Sequence, residues 1–212
     1  MGTEISEQIV SRLMPRRRKP PSQTWKAFLE NHVNELISID FFTIPTATFR
    51  VLLVLVVLAH HRRRVLHFHV TEHPTALWTG EQRVEAFPED TAPRYLLRDR
   101  DKIYGCEFRQ RIQSLNIEEV LAAPASPGQR AYVERLIGSI RGDCLDHLII
   151  LGERHLRTIL KSHLEYYHRC RTHLALAKDT PEPRAVQPPE RGAGVELPEV
   201  GGLHPRYERR VA

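Results

Sequence analysis

The longest apolar run, "VLLVLVVLA" at 51–59, contains no polar residue, a pattern that predicts a strand covered on both faces. It is far shorter than the ~18 residues a bilayer span needs. Before it, "NELISIDFF" (34–42) alternates and is rich in β-branched residues, and after it "RRVLHFHVTEH" (63–73) alternates again. These three strands predict an antiparallel meander with the apolar strand central. A short helix over 24–32 leads in. A helix is predicted over 74–88, from Pro74 and Thr75 at its start to Pro88 at its end. A fourth strand, "RYLLRD" (94–99), precedes a helix over 106–116, a short fifth strand in "IEEVLAAP" (117–124), and two long helices within 126–148 and 153–171. Three strands, then alternating helices and strands, predict an α/β domain with an antiparallel edge and parallel strands added by crossovers.

The charge balance adds a polyanion as a candidate partner. Lys and Arg number 31 against 26 acidic residues, giving a net charge of +5, and the excess is arginine-rich in "PRRRKPP", "HHRRR" and "RYERR". Taken singly, each run also suits a solvated face or tail. Cys106, Cys144 and Cys170 are widely spaced, with no C-x-x-C pair. They indicate neither a disulfide framework nor a cysteine zinc site, and the expected compartment is a reducing cytoplasm. No secretory signal is legible in the first 21 residues. The expected division is a basic arm at 1–23, a core at 24–178 and a Pro/Gly-rich tail at 179–212, extended or partly ordered by packing on the core.

Three carboxylates stand out by position. Asp40 lies inside the first strand between Ile39 and Phe41, where a charge costs several kcal/mol unless it is paired or metal-bound. Asp99 ends the fourth strand, the place where open α/β sheets hold ligands. Glu134 follows 35 positions later (134 minus 99) on a helix whose apolar stripe is Val133, Leu136, Ile137 and Ile140. Glu134, Gly138 and Arg141 occupy a neighbouring face. Magnesium prefers hard oxygen ligands, and a two-metal phosphoryl-transfer site needs such carboxylates converging from different elements.

The segments "ISIDFF", "YLLRDRDKIYGCEF", "SPGQRAYVERLIGSIRGDCLDHL" and "YYHRCRTHLAL", in that order, resemble the DDE integrase core of insertion-sequence transposases and retroviral integrases over residues 22–180. The resemblance implies a ribonuclease H-like fold with a mixed five-stranded sheet. It implies two Mg²⁺ or Mn²⁺ ions, with Asp40 bridging them and Asp99 and Glu134 completing one shell each, so that the three carboxylates converge on one metal pair. It further implies DNA cleavage and strand transfer on transposon ends and target, a homo-oligomer, no membrane partner, and a place at the nucleoid when DNA is bound. Arg130, Arg135 and Arg141 are the expected DNA contacts. The family's asparagine is replaced by Arg130, and Gly128 stands where an aromatic is frequent. Arg130, one turn before Glu134, is placed to pair with that glutamate and compete with metal, or to hold a DNA phosphate. Relatives carry a helix-turn-helix region before the core, and only some 20 residues precede it here, which predicts a truncated transposase. An inactive DNA-binding remnant is therefore the alternative to an enzyme, while a ribonuclease H-type hydrolase is disfavoured by the Asp99 to Glu134 spacing.

Asp101 is expected to pair with Arg98 or Arg100, or to cap the turn, the two arginines balancing the charge of both aspartates. His168, Cys170 and His173 have poor zinc spacing and are expected to serve the helix end. Trp25, Trp78, Tyr166 and Tyr167 are expected to pack.

Overall fold

Nine successive apolar residues do place β2 (Val51–Ala59) inside a sheet, between β1 (Leu36–Pro45) and β3 (Arg64–Thr71). The computed structural model describes residues 23–73, 92–101, 103–124 and 126–211. The helix expected over 74–88, and Trp78 with it, lies outside them. With β4 (Tyr95–Arg98) and β5 (Glu118–Leu121), the sheet runs β3-β2-β1-β4-β5. β1 takes the centre, and β2 is one strand in from the edge. The first three strands are antiparallel neighbours, whereas β1, β4 and β5 run parallel. This is the ribonuclease H-like sheet.

The helices among the described residues are α1 (Trp25–His32), α2 (Cys106–Ser114), α3 (Ala131–Asp143) and α4 (Glu153–Arg169). Residues up to Asn31 form one unit and those from His32 onward another. In the first, Trp25 stacks on Phe28 with ring centroids 5.3 Å apart.

Strand periodicity divides the second unit's core in two. Ile37 and Ile39 of β1 and Leu55 and Val57 of β2 meet Phe108 and Ile112 of α2. Their alternates, Phe42 and Ile44 of β1 and Val54, Val56 and Leu58 of β2, meet Val133, Leu136 and Ile140 of α3 and Leu156, Leu160 and Leu164 of α4. Each such buried side chain contributes on the order of 1.5–3 kcal/mol. Asp40 shares parity with Phe42 and Ile44, so it lies on the α3 side of the sheet.

The tail is more ordered than its composition predicts. Residues 193–210 form a hairpin of β6 (Ala193–Glu199) and β7 (His204–Arg210). Gly192 is required before it, because its φ is +105° and a Cβ there would fall 2.2 Å from the Arg210 carbonyl oxygen. The hairpin docks through Val200, which joins the α3/α4 core, and through His204. That ring stacks on Tyr166 at 4.5 Å, and its Nε2 lies 2.7 Å from the Asp143 carbonyl oxygen. Tyr167 is buried, and its hydroxyl donates to the Arg63 carbonyl. Arg62, held in a left-handed conformation (φ +51°), reaches Asp179 at 2.5 Å and the Thr180 and Pro181 carbonyls.

Candidate functional site

Parallel pairing of β1 with β4 aligns Ile37 with Leu96 and Ser38 with Leu97. Continued by two residues, that register sets Asp40 beside Asp99. Neighbouring strands lie about 4.8 Å apart, so two carboxylates so placed repel unless a cation stands between them. Arg130 provides it. Its Nη2 donates to Asp40 Oδ2 in a short ion pair, and its Nη1 donates to Asp99 Oδ2 at 3.3 Å.

Arg130 is the residue before the first turn of α3, fixed there by the Glu134 N–H donating to its carbonyl at 3.0 Å. Asp40 is 5% exposed. Burial, the largest influence, pushes its carboxyl above the usual carboxylate range, against the pull of Arg130 and of the Phe41 N–H. For Arg130, burial acts to lower the pKa, but the attraction of Asp40, Asp99 and Glu134 prevails and raises it. The guanidinium is therefore permanently charged.

Glu134 lies on the exposed side of α3, as the helical stripe required, while Val133, Leu136 and Ile140 are buried. Two of the three expected carboxylates thus converge through Arg130. Among the described residues no three His, Cys, Asp or Glu side chains gather closely enough to hold a metal ion. The Arg130 guanidinium stands between Asp40 and Asp99, and the Glu134 charge attracts it from the exposed side of α3. Of the two expectations for Arg130, pairing with Glu134 or holding a DNA phosphate, the first is corrected: its ion pairs are with Asp40 and Asp99. The parallel register was the signal that could have found this.

The donor set still fits a hard divalent cation. Two carboxylates, one of them nearly fully buried, converge on a positive group that they hold in common, and carboxylate oxygens are the ligands Mg²⁺ and Mn²⁺ favour.

Asp101 closes the turn after β4. Its Oδ1 accepts from Ile103 N at 2.9 Å, and its own N–H donates to Asp99 Oδ1 at 3.0 Å, so it orients Asp99 from the backbone. Neither arginine beside it balances the aspartates as expected. Arg98 is buried and pairs with Glu119 at 2.6 Å, with a further bond to the Asp99 carbonyl. Arg100 donates to the Ala122 carbonyl at 3.2 Å. Both spend their hydrogen bonds pinning β4 and β5.

Two neighbours of the site were not foreseen from the sequence. Tyr104 is buried, and its hydroxyl faces the Ile39 carbonyl at 3.4 Å. Burial and the nearby Asp99 and Asp40 charges push its pKa well up, so it stays a neutral phenol. Ser38 bonds His60 at 2.5 Å, and the His60 ring meets Tyr132 of α3 edge-on. Burial, helped by Arg63, pushes the His60 pKa down to about 4.

Of the other arginines, Arg141 donates to the Thr43 carbonyl at 2.9 Å and lies over the Phe42 ring, tying α3 to the end of β1, while Arg135 is exposed. His168 accepts from Val65 N at 3.0 Å, joining the end of α4 to β3.

A sheet ordered β3-β2-β1-β4-β5, with acids at the centre strand and at the end of its parallel neighbour, has the ribonuclease H-like fold. Residues 115–181, about a third of the chain, match the integrase core domain family. That stretch includes Arg130 and Glu134, whereas Asp40 and Asp99 precede it. A chain of the simian T-cell lymphotropic virus intasome, solved with the PP2A regulatory subunit B56 gamma, aligns at TM-score 0.58 and 15% identity over 82% of this chain and 66% of that one. The Mos1 mariner transposase catalytic domain aligns at TM-score 0.57 and 15% identity, over 78% and 85%. The HTLV-2 integrase catalytic core domain, solved in complex with magnesium, aligns at TM-score 0.56 and 15% identity, over 70% and 93%. At these identities the likeness is one of fold. No curated protein matches the chain in sequence.

Proposed function

We propose that the chain is the catalytic core of a transposase or integrase that cleaves DNA and joins strands by two-metal phosphodiester chemistry. One observation carries the proposal: Asp40 and Asp99, delivered by adjacent parallel strands, converge on a single cation at the start of the helix that bears Glu134. The magnesium complex of the HTLV-2 core and the Mg and Mn complexes of the Mos1 domain support a divalent cation as the cofactor.

Asp40, Asp99 and Glu134 would be the residues that hold the divalent ions. Bound there, Mg²⁺ or Mn²⁺ supplies an activated oxygen nucleophile and stabilises the leaving 3′ oxygen. The chain's own residues set the stage. The β1–β4 register holds the two aspartates side by side, and the Asp101 N–H orients the Asp99 carboxylate. Exposed Arg135, Arg141 at the end of β1, and Arg130 once freed from the aspartates would neutralise DNA phosphates, making binding strongly salt-dependent. Transposon ends and target DNA are the proposed partners, and a homo-oligomer the proposed assembly.

A second reading, an inactive DNA-binding remnant, is favoured by the hold of Arg130 on both aspartates. One assay separates the two: Mn²⁺-dependent cleavage and strand transfer on DNA ends at low salt, with Asp40→Asn and Glu134→Gln alongside. An enzyme gives product that both substitutions remove, whereas a remnant gives no more product than they do.

A further inference from the structure

We propose that Arg130 is a built-in cation occupying the metal position between Asp40 and Asp99, so that metal loading exchanges guanidinium for metal and Arg130 sets the cation affinity of the site. This rests on the metal reading above and adds to it a residue that decides when the site is loaded.

Three features of the guanidinium support an exchange. It forks across two carboxylates from different strands, Nη2 to Asp40 and Nη1 to Asp99, and so stands where a shared metal would. Its remaining anchorage is thin: Nε is buried with no hydrogen-bond partner among the described residues, so the two aspartates are what hold it. A purely structural arginine is usually fully satisfied, as Arg98 shows with bonds from Nε and Nη2 to Glu119 and from Nη1 to a carbonyl. Finally, the Arg130 side chain is 22% exposed, and Glu134 attracts it from the exposed side of α3. A released guanidinium therefore has an outward path, toward an acid and toward any bound phosphate.

The exchange has an energetic logic. A divalent ion brings two charges against one, but it must be stripped of part of its water and must displace a cation already in short contact with a buried acid. The site is kept paired until metal or DNA tips the balance. A neutral side chain of similar length at position 130 would leave the aspartates facing each other and raise their demand for metal.

The test is Mn²⁺ binding to the full chain, followed by electron paramagnetic resonance of free ion, in the unmodified protein, Arg130→Gln, Arg130→Lys, Asp40→Asn and Arg130→Gln/Asp40→Asn. The expected result is at least about tenfold tighter binding in Arg130→Gln, near-unchanged weak binding in Arg130→Lys, and loss of the gain in the double variant. Equal binding by the unmodified chain and Arg130→Gln, abolished by Asp40→Asn, would overturn the exchange and leave the metal reading standing. No binding by either would overturn both. A measurement on the unmodified chain covers the case of a variant that does not fold. The Arg130 side-chain resonance, assigned by its loss in Arg130→Lys, should move toward that of a solvated arginine as Mg²⁺ is added. A resonance unmoved at saturating Mg²⁺ would overturn the exchange.

Discussion

Arg130 and Asp40, 90 residues apart in sequence, form a short ion pair in which the acid side chain is 7% exposed and the base 22%. The pair joins the start of α3 to the centre strand of the sheet. It puts Arg130 in contact with the buried acid on which the proposed chemistry depends.

The two aspartates in "RDRD" should separate cleanly by function. Asp99 shares the guanidinium with Asp40, whereas Asp101 accepts from Ile103 N and caps a turn. Asparagine can make the same turn bond. Asp101→Asn should therefore keep DNA cleavage close to that of the unmodified chain, while Asp99→Asn should lower it at least about a hundredfold, the worth of a few kcal/mol of transition-state stabilisation. Initial rates on a DNA-end substrate check this.

Arg98 and Glu119 hold β4 to β5 with side chains 6% and 16% exposed. Breaking a pair this buried leaves an uncompensated charge, so Arg98→Met should destabilise the fold by about 3–5 kcal/mol, whereas Arg98→Met/Glu119→Leu should recover most of the loss. Urea denaturation measures both.

Histidines make the fold sensitive to acid. His163 is fully buried, and neither ring nitrogen has a hydrogen-bond partner among the described residues. Burial pushes its pKa from 6.5 down to about 4, as it does for His60. Between those values the unfolded chain takes up a proton that the fold refuses, so stability is complete above pH 6.5 and is lost as pH falls toward 4. The gap corresponds to about 3 kcal/mol per histidine. His163→Leu should remove one such contribution, visible as a smaller loss of unfolding free energy between pH 7 and pH 4.

The hairpin β6–β7 rests on the Tyr166–His204 stack and the His204 bond to the Asp143 carbonyl. An aromatic stack is worth about 0.5–1.5 kcal/mol. Tyr166→Ala should speed hydrogen exchange of the 193–210 amides while leaving β1 and β2 protected.

Much of this was legible from periodicity. The unbroken apolar run gave β2 its interior place, alternation gave β1 and β3, and the 3.6-residue stripe in α3 placed Glu134 on the exposed side with Val133, Leu136 and Ile140 inward. What escaped depends on which strands become neighbours. The meeting of Asp40 and Asp99 follows from the β1–β4 register, a non-local property. Without it, local spacing makes Arg130 a partner for Glu134, its neighbour one turn away, or for a DNA phosphate. Arg98 and Arg100 looked like counterions for the adjacent aspartates because local spacing cannot show Glu119 and Ala122 arriving on β5 and just beyond it. The hairpin was hidden by a composition rich in Pro and Gly, which predicts extended chain unless docking contacts such as Val200 and His204 are known.

The central claim is that the Asp40–Asp99 pair is a divalent-cation site. Anomalous diffraction from crystals soaked in Mn²⁺ addresses it most directly. The account predicts a manganese peak in contact with both carboxylates and the Arg130 guanidinium withdrawn from between them. An undisturbed guanidinium with no manganese at either aspartate, in crystals that take up the ion elsewhere, would contradict it.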